Sequence, residues 1–432
     1  MKKGKLLGLA GSICLIIVMA ALPFMAACAA PPAEEVKPIK VGICSAETGD
    51  LVVEWVTIAK IVKMTFDIIN EDPPLGRPIQ VISSDGMTTV EGEMKVANFL
   101  GGQGVAYAVG YCSDGLWAAL PTIEKYGTPT FTQWAGSTRL DKTPQGKAGL
   151  FFRNCGGDSI MYAVPGLYWE QELAPKGAKT IAVLNATDES SRSAAVEART
   201  NLEKAGAKCV YATEFPPDQI TFSRILADAF AANPDVLLVM TSQEQGSIVL
   251  KQWYDSSLRK DIPILGLDTW FDLGILIPAT GAVDNVLIKA NPAVGEDIRK
   301  FVGESYDVFI HEYQKVYGQG LIPEDPFAPC MWDAINIGAL AIEAAGDPSP
   351  AAVSKAIREV SNPPGVKVHS YAEGIKLLRQ GQKIDYEGAA SDCNYDEYGN
   401  VYPPSGMFMV VDGVWQEITV YSSEELMTFA AK

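Results

Sequence analysis

Histidine is nearly absent from this chain, whose 432 residues include only His311 and His369. Eight cysteines are present without a Cys-x-x-Cys pair, so metal-ligand spacing is missing and no structural or catalytic metal site is expected. Basic residues are also scarce: 35 Lys and Arg stand against 52 Asp and Glu, for a formal net charge of -17. A chain this acidic lacks the electrostatic footprint of a nucleic-acid binder. Catalytic motifs are missing as well. Tyr111-Cys112-Ser113-Asp114-Gly115 lacks the leading glycine of a hydrolase elbow, and neither histidine falls in an expected rim loop to act as base. Gly101-Gly102-Gln103-Gly104 follows a helical stretch instead of a strand, which argues against a dinucleotide or phosphate loop. An enzyme and a cofactor are therefore not expected.

One long apolar run is present, near the first residue. Met1-Lys2-Lys3-Gly4-Lys5 precedes a largely apolar run from Leu6 to Phe24, the pattern of an export signal. Met25-Ala26-Ala27-Cys28 follows and resembles the lipobox of bacterial lipoproteins, with methionine where leucine is usual. That resemblance implies cleavage before Cys28 and lipidation of its sulfur by diacylglycerol, with palmitate among the acyl chains, which would anchor the protein outside the cytoplasm. Residues 1–27 are then a signal peptide and 28–38 a lipidated tether, since Ala29 to Pro38 holds three prolines and no apolar periodicity. Removing the three signal lysines takes the mature chain to about -20. Six cysteines remain (Cys44, Cys112, Cys155, Cys209, Cys330 and Cys393), and their spacing decides no disulfide pairing.

From Ile39 onward, short apolar runs alternate with amphipathic stretches. Strands are predicted at Ile39 to Cys44, Ile79 to Ser83, Ala106 to Gly110, Thr128 to Thr132 and Phe151 to Asn154, with helices at Val53 to Asn70, Glu91 to Leu100 and Asp114 to Tyr126. The pattern restarts after the Gly156-Gly157 pair, a candidate hinge. Strands at Thr180 to Leu184, Cys209 to Thr213, Val236 to Met240 and Ile262 to Leu267 alternate with helices at Ser190 to Ala205, Thr221 to Ala232 and Gly246 to Ser256. Helices near Glu304 to Tyr317, Trp332 to Ala345 and Pro350 to Val360 come next, then a turn-rich, strand-like tail. The fold class is α/β, with two doubly wound lobes, because some 390 residues exceed one ordinary core.

The order of elements resembles the periplasmic branched-chain amino acid-binding protein family, the type I binding proteins of ABC importers. Gly110-Tyr111-Cys112-Ser113, Asn233-Pro234-Asp235-Val236, Gly266-Leu267-Asp268 and Tyr395-Asp396-Glu397-Tyr398-Gly399-Asn400 carry the likeness. It implies three crossovers between lobes and a cleft between them, with lobe 1 built from 39–154 plus about 291–382 and lobe 2 from 155–290 plus about 383–432. It also implies capture of a small polar molecule, an amino acid or a related amide or aromatic acid, and delivery to an ABC permease. A sensory module feeding a membrane partner is the alternative that the same fold allows.

Ligand-binding candidates follow from the loops at strand ends. Ser113 precedes a helix, where its hydroxyl and nearby N–H groups either hold a carboxylate or simply cap the helix. The resemblance implies a ligand role for it, and backbone contacts from Ala135 and Gly136. Asp268 matches an acidic residue that pairs with the ligand ammonium in amino acid-binding relatives, and is otherwise a helix cap. Asp188 and Ser242 occupy similar rims on topology alone. Trp55, Trp134 and Trp270 are either packing residues or aromatic walls for a bulky ligand. The loop Glu47-Thr48-Gly49-Asp50-Leu51 departs from the small, glycine-rich family pattern, against plain leucine or valine as ligand.

Overall fold

A computed structural model describes residues 36–257, 261–270, 286–290 and 299–432. The expected export signal, the lipidation site Cys28 and most of the tether lie outside the described residues. Among the described residues no helix is long and apolar enough to cross a membrane.

The first sheet has strand order β13-β5-β4-β3-β1-β2. Its strands are β1 (Ile39–Ser45), β2 (Ile79–Asp85), β3 (Ala108–Gly110), β4 (Thr130–Thr132), β5 (Phe151–Gly156) and β13 (Asn400–Val401), and every pairing is parallel. A parallel sheet is covered on both faces, which is why β1 reads Ile-Lys-Val-Gly-Ile-Cys-Ser and buries almost every residue. Helices α1 (Val52–Glu71), α2 (Val90–Gln103) and α3 (Ser113–Tyr126) connect the strands. Helix α1 turns Ile58, Ile61 and Ile69 inward at helical spacing.

Helix α8 (Ala328–Ala345) is buried on nearly all sides, because α1, α9 (Pro350–Ser361) and α10 (Tyr371–Arg379) all pack on it. It ends, as its sequence predicts, at Gly346, whose φ of 64° is the left-handed cap conformation. Inside α8, Asp333 is fully buried and accepts hydrogen bonds from Ala389 N, Ala390 N and Tyr386 Oη at 2.8, 2.9 and 3.0 Å. Burial pushes its carboxyl up to about 7.

The second sheet runs β15-β14-β10-β9-β8-β6-β7. It joins parallel strands β6 (Thr180–Ala186), β7 (Lys208–Phe215), β8 (Val236–Met240), β9 (Ile264–Gly266) and β10 (Val286–Ala290) to an antiparallel edge hairpin, β14 (Ser405–Val411) and β15 (Val414–Tyr421). Helices α4 (Glu189–Lys204), α5 (Ser223–Ala231), α6 (Gln243–Asp255) and the last helix α11 (Ser423–Ala430) accompany it. The chain passes between sheets after β5, between β10 and α7 (Arg299–Tyr317), and between β13 and β14, giving three crossovers.

The last crossover falls later than the sequence reading places it. Ile384, Tyr386, Cys393, Tyr395 and Val401 all belong to the core of the first lobe, so that lobe runs on to residue 401 and does not stop near 382. Tyr395 accounts for this, since it wedges against Phe152 with ring centres 5.0 Å apart and donates to Asn154 Oδ1 at 3.0 Å. The small sheet of β11 (Val366–Val368) and β12 (Ile384–Tyr386), together with α10, was not expected; strands of three residues carry too little pattern. None of the six cysteines from Cys44 onward is in a disulfide.

Candidate ligand-binding site

Strand order reverses at one point in each sheet: β1 lies between β2 and β3, and β6 lies between β7 and β8. In open α/β sheets such points leave a crevice beyond the carboxyl ends of the strands. A cavity of about 310 Å³ lies there, lined by the loops after β1, β3, β4 and β5 on one side and after β6, β8 and β9 on the other. The two walls also touch. Ser137 Oγ donates to Glu189 Oε1 at 2.8 Å, Ser193 Oγ accepts from Thr138 N at 3.1 Å, and Arg139 Nη1 meets Glu189 Oε2 at 3.2 Å.

The turn into α3 is the most constrained part of the first wall. Gly110 has φ 121°, and a Cβ there would strike the Cys44 carbonyl. Tyr111, buried, has φ 73°, a conformation costly for a bulky residue and held only by its surroundings. This turn aims the first turn of α3 at the cavity. The N–H groups of Ser113, Asp114 and Gly115 precede the first intrahelical bond, Leu116 N to Cys112 O at 2.8 Å, and have no acceptor among the described residues. They form a pole for negative charge. The Ser113 hydroxyl, by contrast, accepts from Ser137 N at 3.3 Å and so joins two loops.

Beside that pole lies Glu93, 2% exposed, whose two carboxyl oxygens accept from Cys112 N at 3.1 and 3.0 Å. Burial pushes its pKa up to about 8, with the Asp114 charge adding to the rise and the Cys112 hydrogen bonds opposing it. Asp50 and Asp114 are raised in turn by burial and then by Asp188, with Glu244 adding at Asp50 and Glu189 at Asp114. Glu54, Asp158 and Asp268 complete seven carboxyl groups on the cavity wall. Among the described residues the lining includes no lysine, arginine or histidine. Arg139, in the loop after β4, and Arg153, on β5, are held in ion pairs with Glu189 and Asp141 at 3.2 and 2.8 Å.

Of the residues singled out from sequence, Ser113, Trp134, Gly136, Asp188, Ser242 and Asp268 line the cavity. Asp188 and Ser242 also cap helices, accepting from Ser191 N at 2.9 Å and Gln245 N at 3.4 Å. Gly136 O is occupied by Asp158 N and Arg153 Nη1 at 2.8 and 2.9 Å, so its carbonyl is structural. The other three do not line the cavity. Ala135 is wholly buried and donates its N–H to Thr132 Oγ1 at 3.0 Å, set back between the lining residues Trp134 and Gly136. Trp270 lies in the core of the second lobe with Nε1 donating to Thr241 O at 2.8 Å, and Gly246 and Gly266 leave room for its ring. Trp55 stands behind Trp134, edge to face at 6.3 Å, and does not reach the lining.

Sequence reasoning missed Glu93, Glu54, Asp158, Tyr162 and Phe327, all on the cavity wall. Glu93 looks like an ordinary first-turn acid of α2. Its signal was Gly115, where a side chain would collide with the Glu93 carboxyl. Asp158 and Tyr162 fall in short helical turns, too brief for a periodic pattern. Neither histidine lies at the cavity: His311 is exposed on α7, and His369 Nδ1 is bonded to Ser305 Oγ at 2.7 Å.

Solved structures resemble this architecture over most of its length. A leucine-binding protein, LivK, from Thermotoga maritima MSB8 is 18% identical, covers 90% of this chain and 99% of its own, and superposes with a TM-score of 0.73. LivJ of Streptococcus pneumoniae, a branched-chain amino acid transporter substrate-binding protein in complex with isoleucine, is also 18% identical, covers 89% and 99%, and gives 0.70. An ABC transporter solute-binding protein of Rhodopseudomonas palustris BisB5, in complex with 3,4-dihydroxybenzoic acid, is 19% identical, covers 89% and 98%, and gives 0.67. No curated protein sequence matches the chain. The periplasmic binding protein family model matches residues 38–371, and the chain belongs to that family, with the two-lobed type I fold.

Proposed function

We propose that this protein is the capture component of an ABC importer, tethered outside the cytoplasm through Cys28, which takes a small amine-bearing solute of the amino acid kind into its interlobe cleft and presents it to a permease. The observation that carries the reading is the cavity itself: an unsatisfied helix N-terminus on the first wall faces carboxylates on both, one pole for a carboxylate and one for an ammonium. Asp268 is the proposed ammonium partner, with Asp188 beside it on the second lobe and Ser113 at the carboxylate end. Free aromatic acids fit less well, since a ring carboxylate has one suitable pole and meets like charge elsewhere.

Contacts made by both lobes favour the closed arrangement, and the permease would read that population shift. The test is a thermal-shift screen over amino acids, amides, diamines and aromatic acids, followed by calorimetry and solution scattering on each hit. A true ligand raises the melting temperature by mass action and compacts the protein. Failure of every amine-bearing solute to bind would sink the proposal.

A further inference from the structure

Glu93 is a buried acid set beside the pole that is proposed to hold the ligand carboxylate. It lines the cavity next to the free N–H groups of Ser113, Asp114 and Gly115 and is 2% exposed. Two glycines make room for it. A Cβ at Gly86, in the loop after β2, would lie 2.9 Å from Glu93 Cγ, and one at Gly115 would collide with the carboxyl itself. The oxygens are fixed as well, since both accept from Cys112 N at 3.1 and 3.0 Å. Glu93 is therefore held against the first turn of α3, unlike a flexible surface acid.

A negative charge in this place has no counter-charge among the groups that face it. Those groups are Cys44 on β1, Tyr111 and Cys112 in the turn after β3, and Asp114 on α3, with Asp85 on β2 and Glu54 on α1 acting on the two thiols. Burial favours the neutral acid, and pushes its pKa up to about 8. Burial also pushes the thiols of Cys44 and Cys112 and the Tyr111 phenol well above their usual values, so they stay neutral through the same range. A neutral carboxyl has an O–H to donate. The Cys112 N–H is a donor and cannot accept it, whereas a ligand oxygen bound at the neighbouring N–H groups can.

We infer that Glu93 is a ligand contact that works only while it holds its proton: neutral, it donates to the ligand carboxylate beside the first turn of α3, and ionised, it repels that carboxylate. Capture above neutral pH then takes up a proton. This rests on the proposed capture of an amino acid and adds a residue that decides when it occurs. The direction follows from the chemistry. Between pH 7 and pH 9 the protonated fraction of a group with a pKa of about 8 falls from about nine-tenths to about one-tenth, and affinity falls with it.

Calorimetry with leucine, phenylalanine, glutamine, glutamate and lysine tests this, with the tightest binder carried through at pH 7 and pH 9. The parent is compared with Glu93→Gln, whose amide keeps an oxygen for Cys112 N and an N–H for the ligand but cannot ionise. Over that interval the parent's Kd should rise about tenfold more than the variant's. Titration of the ligand's own ammonium weighs equally on both proteins and cancels. At pH 8.5, heats of binding in Tris and in HEPPS should show the parent taking up more than about half a proton per ligand. This second measurement stands on the parent alone. Equal pH dependence in the two proteins, or no proton uptake by the parent, overturns the inference and leaves capture intact. Affinity that climbs with pH relative to the variant overturns it too, because it puts the ligand's ammonium beside Glu93. Silence from all five amino acids overturns the capture reading and this inference with it.

Discussion

Asp114 Oδ2, in the first turn of α3, accepts a hydrogen bond at 3.1 Å from the backbone N–H of Glu189, the first residue of α4. An acid of one lobe thus caps a helix of the other, and the Glu189 side chain returns the contact to Ser137 and Arg139. These bonds can exist only while the walls are together. Glu189→Ala should therefore shift the ligand-free protein toward an open form, visible as a larger radius of gyration in solution scattering. Ligand affinity should fall about tenfold, the worth of one or two hydrogen bonds. A variant with unchanged scattering would show that this contact is not a latch.

Asp268 projects from the end of β9, where the family resemblance places the ammonium partner. Asp268→Asn keeps the shape and removes the charge. The expected loss is about 3 kcal/mol of binding free energy for an amine-bearing ligand, roughly two orders of magnitude in affinity. Calorimetry on the hit from the thermal screen measures it, and an unaltered constant would remove Asp268 from the site.

Glu93 makes stability depend on pH in a defined direction. Its folded pKa of about 8 exceeds that of an unfolded glutamic acid, about 4.3, so the folded state holds the proton more tightly. Stability from this group is then complete below about pH 4 and is lost as pH rises toward 8. Cys112, Cys44, Tyr111 and Asp114 surround the carboxyl, and no cation does among the groups acting on it. Glu93→Gln should accordingly melt higher than the parent at pH 8.5, with the gap closing at pH 5. Parallel melting curves across that range would refute the assignment.

Asp333 ties α8 to the segment after β12 through three donors. Asp333→Ala would leave Ala389 N, Ala390 N and Tyr386 Oη buried without an acceptor, at a cost of about 3 to 5 kcal/mol. Differential scanning calorimetry should register the loss as a lower melting temperature. Asp333→Asn, which can still accept through its amide oxygen, should recover a substantial part. Equal losses in the two variants would mean that the charge matters more than the bonds.

The doubly wound lobes were legible because their strands sit between well-marked helices: the α8 boundary at Gly346 and the β8 limits from Val236 to Met240 match the pattern reading. Rim residues in the loops after strands that the apolar runs mark out, Ser113, Asp188, Ser242 and Asp268, were found for the same reason. Trp55 and Trp270 could not be sorted between wall and packing, because a large aromatic ring near a rim loop looks the same in sequence whether it faces a cleft or a core. What decided between them was space left by distant glycines, Gly246 and Gly266 for Trp270, and no local pattern carries that. Carboxyl groups from seven separate positions converge only through tertiary folding, so the acid wall is invisible until both sheets are assembled.

The return of the chain to the first sheet sets the order of events at the ribosome. Strand β1 begins at Ile39, but the strand that closes its sheet is Asn400–Val401, and Tyr395 completes its core. At about 5 to 20 residues per second of synthesis, the first lobe waits on the order of twenty seconds to a minute for its last piece. The second lobe waits too, since β14 and β15 supply the far edge of its sheet. Neither half can finish folding before the stretch beyond residue 394 has been made. The fold thus keeps the nascent polypeptide open until the segments that follow β12 have emerged.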